Sequence, residues 1–282
     1  MSATVRTPSD RVWDVVCYVF LIGMAVLCIG PIVWTFLISI RPESDIVTSE
    51  LRYWPSAVTF ENYVKLWNQS GYPVLVLNSV VITTMTVTIC LLTGTTAAYA
   101  FSRYRFPGRT TLMLGYLVVR MFPAVLMIIP LFIVMRNIGL LDTRLGLAVA
   151  YTSFLLPLFV WMLKGFFDAV PPELESAARI DGSTRLGAMV RIVMPIARNG
   201  VLATSVFIAI AAWNEFLFAL MLTTSQGSRS WPVGLQLMIG EFQLPWGMLA
   251  AGGIISILPV MILFALIQRA MVAGIAAGAV KG

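Results

Sequence analysis

The charges of this 282-residue chain are spaced so that long stretches between them carry almost none. A helix needs about 20 predominantly apolar residues to cross a bilayer, so these gaps are the strongest constraint on what the chain can become. The first runs from Val15 to Ile40, between Asp14 and Arg41. The second lies between Lys65 and Arg103 and starts near Pro73. A third, Thr110 to Met135, is interrupted by Arg120. Leu145 to Leu163 is the fourth, and Asn199 to Thr223, carrying Glu215, the fifth. The sixth falls between Phe242 and Arg269, starting near Trp246. With 59% hydrophobic and 11% charged residues, the chain is neither an ordinary soluble globule nor a disordered one. The expectation is an all-α polytopic membrane protein with six transmembrane helices. The first stretch is too long for a signal-peptide core and is expected to be retained.

Six spans place both termini on one side. If that side is the cytoplasm, twelve Lys and Arg fall in inner segments and six in outer ones. This bias favours cytoplasmic termini. The loop Arg103-Tyr-Arg-Phe-Pro-Gly-Arg109 is its sharpest local expression. The net charge of +6 is scattered singly among apolar spans, which reads as membrane orientation and not as nucleic-acid binding. Trp54, Trp67, Trp231 and Trp246 fall in or beside outer loops, where Trp commonly marks the interface.

Catalysis has little to work with. There is no His, the three Cys form no metal spacing, and no Gly-Lys pair exists to build a phosphate loop. An integral-membrane enzyme would need convergent polar groups within the spans. A secondary transporter would carry its own ion-coupling residues and usually internal repeats, and none is evident. Arg120 and Glu215 are the two charges inside spans. Each is read either as a structural tie or, with Tyr151, Trp213 and Asn214, as the polar lining of a translocation path.

One inner segment, Phe166 to Asn199, is unlike the rest. Pro171-Pro172 suits a helix start, and Glu173 and Glu175 fall in its first turns. Ala177-Ala178-Arg179 continue it, and Gly182 after Asp181 is able to end it in the left-handed conformation. Ser183 is placed to cap a second helix, along which Leu186, Val190 and Val193 recur as an amphipathic stripe until Pro195. The result is two short helices bent at Asp181-Gly182. It reads either as a hairpin lying on the membrane surface or as a docking element for a partner.

This loop resembles the "EAA" signature of the membrane subunits of binding-protein-dependent ABC importers. The match runs through Ala177, Ala178, Asp181, Gly182, Ile192 and Pro195, with Met194 in place of Leu. The signature Glu position is Ser176, and the acid stands one place back, at Glu175. Ala212-Trp213-Asn214-Glu215-Phe216 resembles a segment of carbohydrate permeases, and the ending Gly278-Ala-Val-Lys-Gly282 resembles the maltose-type permease terminus.

The resemblance implies a type I ABC importer permease. Residues 1–72 would form the N-terminal segment, first span and first outer loop, and residues 73–282 the core with a coupling loop at 166–199. It implies a second, homologous permease chain as heterodimer partner and two ATP-binding subunits docked on the coupling loop through Glu175, Ser176, Ala177, Ala178, Asp181, Gly182, Ile192 and Pro195. It also implies a periplasmic or lipid-anchored substrate-binding protein, met by the outer loop Gly240, Glu241, Phe242 and Gln243. The tail Ala279, Val280, Lys281 and Gly282 would reach the ATPase. No cofactor is expected on this chain, ATP and magnesium belonging to the partner subunits. The expected setting is the bacterial inner membrane, and the expected cargo a sugar or polyol. Because Ser176 stands where the family has its acid, loss of Glu175 is expected to be milder than loss of Gly182.

Overall fold

The structure is a computed structural model that describes residues 8–46, 53–68, 71–239 and 244–279. Among the described residues every regular element is a helix. In chain order these are α1 (Pro8–Ser39), α2 (Glu43–Ile46), α3 (Glu61–Asn68) and α4 (Tyr72–Ile89), which continues through a π-helical stretch, Cys90–Gly94, into α5 (Thr95–Arg103). Then follow α6 (Arg109–Val119), α7 (Ala124–Asn137), α8 (Arg144–Asp168), α9 (Pro172–Ile180) and α10 (Arg185–Ala188). A second π stretch, Met189–Val193, leads to α11 (Met194–Ile196). The chain ends with α12 (Arg198–Trp213), α13 (Leu217–Leu222), α14 (Trp231–Gln236) and α15 (Trp246–Ala279).

Four helices are long and apolar enough to cross a bilayer: Val12–Ser39, Tyr72–Arg103, Arg144–Asp168 and Trp246–Gln268. Two bent pairs bring the number to six if each is one span: Arg109–Val119 with Ala124–Asn137, at 96°, and Arg185–Ile196 with Arg198–Trp213, at 84°. Two expected spans are therefore not straight helices. The third breaks between Arg120 and Pro123, where Pro123 has no amide hydrogen to give and disfavours a helical residue before it. The 84° bend lies at Ala197, two residues after Pro195, and the expected fifth span, 199–223, is interrupted separately at Asn214–Phe216, where no proline or glycine marks the place.

The chain divides into two compact units, Met1–Gln69 with Met238–Ile257, and Ser70–Leu237 with Leu258–Gly282. In the first, the buried Asn62 donates from Nδ2 to the carbonyls of Ser39 (3.0 Å) and Arg41 (2.8 Å), so α3 closes the orphan end of α1. Arg41 is buried, lies over the Trp34 ring and donates to the Tyr53 carbonyl. Along its apolar stretch α1 leaves most side chains exposed, as a helix facing lipid or another chain does.

The second unit is built around α8, which is buried along most of its length by α4, α5 and α12. Lipid tails are as apolar as leucine, so in a bilayer close packing and not water exclusion holds helices together. Small residues at the contacts allow it: Ala98, Ala148, Ala150, Ala209 and Ala212 are all buried. A Cβ on Gly94 would collide with the Phe159 ring, and one on Gly200 with Phe166. Several hydroxyls in the spans return to their own helix, as Thr86 does to Ile82 O and Thr152 to Ala148 O, whereas the buried hydroxyls of Thr83, Thr95 and Thr204 find no partner. Trp231, expected beside an outer loop as an interface residue, is covered by protein. It is 1% exposed, with its ring against Tyr72.

Candidate functional site

The segment 166–199 folds into two bent helices. Pro171 caps α9, Glu173 and Glu175 occupy its first turn, and Gly182 takes φ +89°. The Ser183 amide reaches Ala178 O (2.9 Å) and the Gly182 amide Arg179 O (3.1 Å), the paired bonds of a Schellman cap. The cap of α10 is Thr184 rather than the expected Ser183: its hydroxyl accepts from the Gly187 amide at 3.0 Å. The stripe is corrected too. Leu186 and Val190 are exposed while Val193 is buried, because the π stretch shifts the register of side chains between them. The bend therefore presents apolar side chains outward, with Ile180 86% and Leu186 63% exposed. Ser176, Ala177, Asp181 and Pro195 are exposed beside them, and Ala178 and Ile192 are half-buried.

Glu175 faces the other way. It is 6% exposed and forms an ion pair with Arg103 Nε, while its second oxygen accepts from the Tyr99 hydroxyl at 2.6 Å. Arg103 Nη2 donates to Val170 O at 2.9 Å, so the guanidinium bridges the end of α5 and the start of α9. This corrects two readings. Glu175 does not offer a free acid to a partner, and Arg103 is not merely an orienting surface charge. The tyrosine and the arginine carry no local sequence signal pointing to α9, which lies about seventy residues away.

The two helix breaks meet on α8. The Arg120 guanidinium lies 5.2 Å from the Phe154 ring centroid, and Phe154 packs edge-on against Phe218 at 5.6 Å. Glu215 accepts from the Phe218 amide (2.8 Å) and the Ala219 amide (3.2 Å), taking up orphan donors of α13. Its backbone carbonyl accepts from the Tyr151 hydroxyl at 3.4 Å. Arg120 and Glu215 do not pair. Arg120 Nη1 is buried with no hydrogen-bond partner. Tyr151 and Trp213 are buried, and Asn214 is exposed, its amide turned back to Ile210 O. Of the expected lining, then, Arg120, Tyr151 and Glu215 gather around Phe154 and Phe218, two aromatics the sequence did not single out.

At the opposite end, Asp142, at φ +59°, ties two loops. Its Oδ1 accepts from the amides of Thr224 (2.7 Å) and Ser225 (2.9 Å) and from the Ser228 hydroxyl. Burial alone would push its carboxyl up, but these donors outweigh it and hold the group well below the usual carboxylate range. Asn78, fully buried, donates to the carbonyls of Gln226 (2.9 Å) and Arg229 (2.8 Å), and the Trp231 amide donates to Ser79 Oγ at 2.7 Å. Gly240, Glu241, Phe242 and Gln243 lie outside the described residues, as do Val280, Lys281 and Gly282, while Ala279 closes α15. No group of three or more Cys, Asp or Glu able to hold a metal occurs among the described residues.

Residues 90–276 match the family described as binding-protein-dependent transport system inner membrane component. The chain is 37% identical over 263 residues to the trehalose transport system permease protein SugB of Mycobacterium tuberculosis, covering 93% of this chain and 94% of that one. It is 34% identical to the sulfoquinovosyl glycerol transport system permease protein SmoH of Agrobacterium fabrum, covering 89% and 88%. A further relative, at 34% and covering 92% and 94%, is the trehalose/maltose transport system permease protein MalG of Thermococcus litoralis. The fold matches a chain of a bacterial ABC transporter involved in import of the acidic polysaccharide alginate, with TM-score 0.80, 23% identity and coverage of 95% and 99%. The chain belongs to the family of inner-membrane components of binding-protein-dependent transport systems, as an all-α multi-pass membrane protein.

Proposed function

We propose that this chain is the permease subunit of an ATP-driven importer that carries a sugar or related polyol by alternating access. The bent loop at 166–199 carries the reading. An exposed apolar knuckle at Ile180 and Leu186, on a sharply capped bend, is a surface made to be covered. It would seat in an ATP-binding subunit, which supplies ATP and magnesium. Ser176, Ala177, Ala178, Asp181 and Gly182 would form the contact, with Ile192 and Pro195 supporting the second leg. The names of the relatives, which transport trehalose, maltose and sulfoquinovosyl glycerol, support the cargo class.

A homologous second permease would complete the pathway, and a substrate-binding protein would meet residues 240–243. Residues 279–282 would reach between the ATPases. The charge bias along the sequence supports a cytoplasmic bent loop and cytoplasmic termini. The aromatic cluster at the two helix breaks, with Arg120, Tyr151 and Glu215, is the proposed polar station of the path. Irregular backbone at membrane depth is tolerated where it is buried in protein or lines a wet cavity, and broken helices mark binding sites in other transporters.

Affinity purification of the chain from its native membrane in mild detergent tests the reading. Co-purification of an ATP-binding subunit and a second permease is expected. A chain recovered with neither would leave the bent loop as a surface hairpin and end the importer reading.

A further inference from the structure

Both legs of the bent loop grip the same short stretch of chain. The α9 leg does so through Glu175, which holds Arg103 and Tyr99 at the end of α5. The second leg does so through Arg185, which donates to the Tyr104 hydroxyl at 3.3 Å and lies 5.3 Å from that ring's centroid. Tyr99 in turn packs edge-on against Tyr104 and against Phe167. Alongside, Ser102 donates to Asp168 Oδ1 at 2.6 Å. The gripped helix is the span Tyr72–Arg103, 32 residues long and fastened to α8 where Gly94 meets Phe159. Its far end holds the 223–231 loop through Asn78 and Ser79, both buried.

We propose that Glu175 is a positioning residue for energy coupling: it clamps the docking loop to the span Tyr72–Arg103, so that movement of the loop is delivered along this span to the 223–231 loop. The role rests on the importer reading above. It differs from a docking contact, since the carboxylate is spent inside the chain. A buried ion pair is a discrete fastening, either made or broken, and its partner is left uncompensated when one side is removed. That is the property a transmission link needs.

The test uses the purified complex with its ATPase in lipid nanodiscs, in a chain with Cys17 and Cys28 replaced by Ser and Thr224 replaced by Cys. Thr224 is exposed and contributes only its backbone to the Asp142 turn. The readout is the rate of labelling by a hydrophilic maleimide before and after trapping with ATP and vanadate, which needs no knowledge of the sugar. In the parent the trap changes the rate about fivefold or more, a typical allosteric coupling. Glu175→Gln is expected to retain the ATPase but lose this response. The charge swap Glu175→Arg with Arg103→Glu is expected to restore part of it.

A Glu175→Gln complex that responds like the parent overturns the proposal. So does loss of the ATPase in that variant, which makes Glu175 a docking contact and leaves the importer reading standing. A parent chain that never carries an ATPase sinks both. If Glu175→Gln does not assemble in the membrane, Tyr99→Phe decides, because it removes one hydrogen bond and keeps the ion pair. A weakened response supports the clamp, and an unchanged one overturns it.

Discussion

Gly182 and Glu175 stand seven residues apart and answer to different forces. At Gly182 the backbone decides: φ is +89°, and nothing lies within 4 Å of where a Cβ would point. A side chain there meets no neighbour but must adopt a left-handed conformation, at a cost of about 1–3 kcal/mol. Gly182→Val is therefore expected to insert normally and to lose about tenfold or more of its ATPase recovery in a pull-down, since 1.4 kcal/mol is tenfold. Gly182→Ala is expected to lose less. Equal recovery for both variants and the parent would remove the bend from the docking surface. At Glu175 the surroundings decide. The ion pair argues against a mild effect of its loss: Glu175→Ala is expected to strand the guanidinium of Arg103 in a site where its side chain is only 12% exposed. Glu175→Gln keeps an acceptor there, which is why it serves as the finer probe.

Among the elements, the two broken spans matter most. A helix interrupted inside a bilayer must satisfy its free amides from protein, and at the second break Glu215 does so for Phe218 and Ala219. Glu215→Leu is expected to destabilise the purified complex by about 1–3 kcal/mol for each amide left bare, read as a fall in the detergent melting temperature. Glu215→Gln, which keeps one acceptor oxygen, is expected to fall less. Should Glu215→Leu melt with the parent, the carboxylate is not holding the break, and its place beside Tyr151 must be explained by the transport path alone. The first break has a local cause in Pro123, three residues after Arg120, although the stretch Thr110 to Met135 reads as one span. The second has no such mark, because the residue that stabilises it is a carboxylate reaching three and four positions ahead, a pattern that occurs in many sequences without breaking anything.

For the whole molecule the orientation is the decisive quantity. The bent loop and the 223–231 loop, exposed at residues 224–227, lie at opposite ends of α4 and α5, one held by Arg103 and the other by Asn78. In intact cells an impermeant maleimide is expected to label Thr224→Cys and to spare Ser176→Cys, both exposed positions. Labelling of Ser176→Cys from outside would invert the topology and separate the loop from any cytoplasmic ATPase.

Composition and spacing alone determined the membrane class, the six apolar stretches, the helix start at Pro171-Pro172 and the turn at Gly182. Each depends on interactions within a few residues, or on the transfer of a whole segment into lipid, and so is written locally. Only the tertiary structure decided which way Glu175 points, which tryptophan is buried, and where Asn78 and Asp142 spend their polar groups. Those outcomes depend on partners more than 70 residues away in the chain. A carboxylate or an amide looks the same in the sequence whether it faces a partner protein, water or its own distant helix. Burial and the need to satisfy every polar group in a dry interior make the choice.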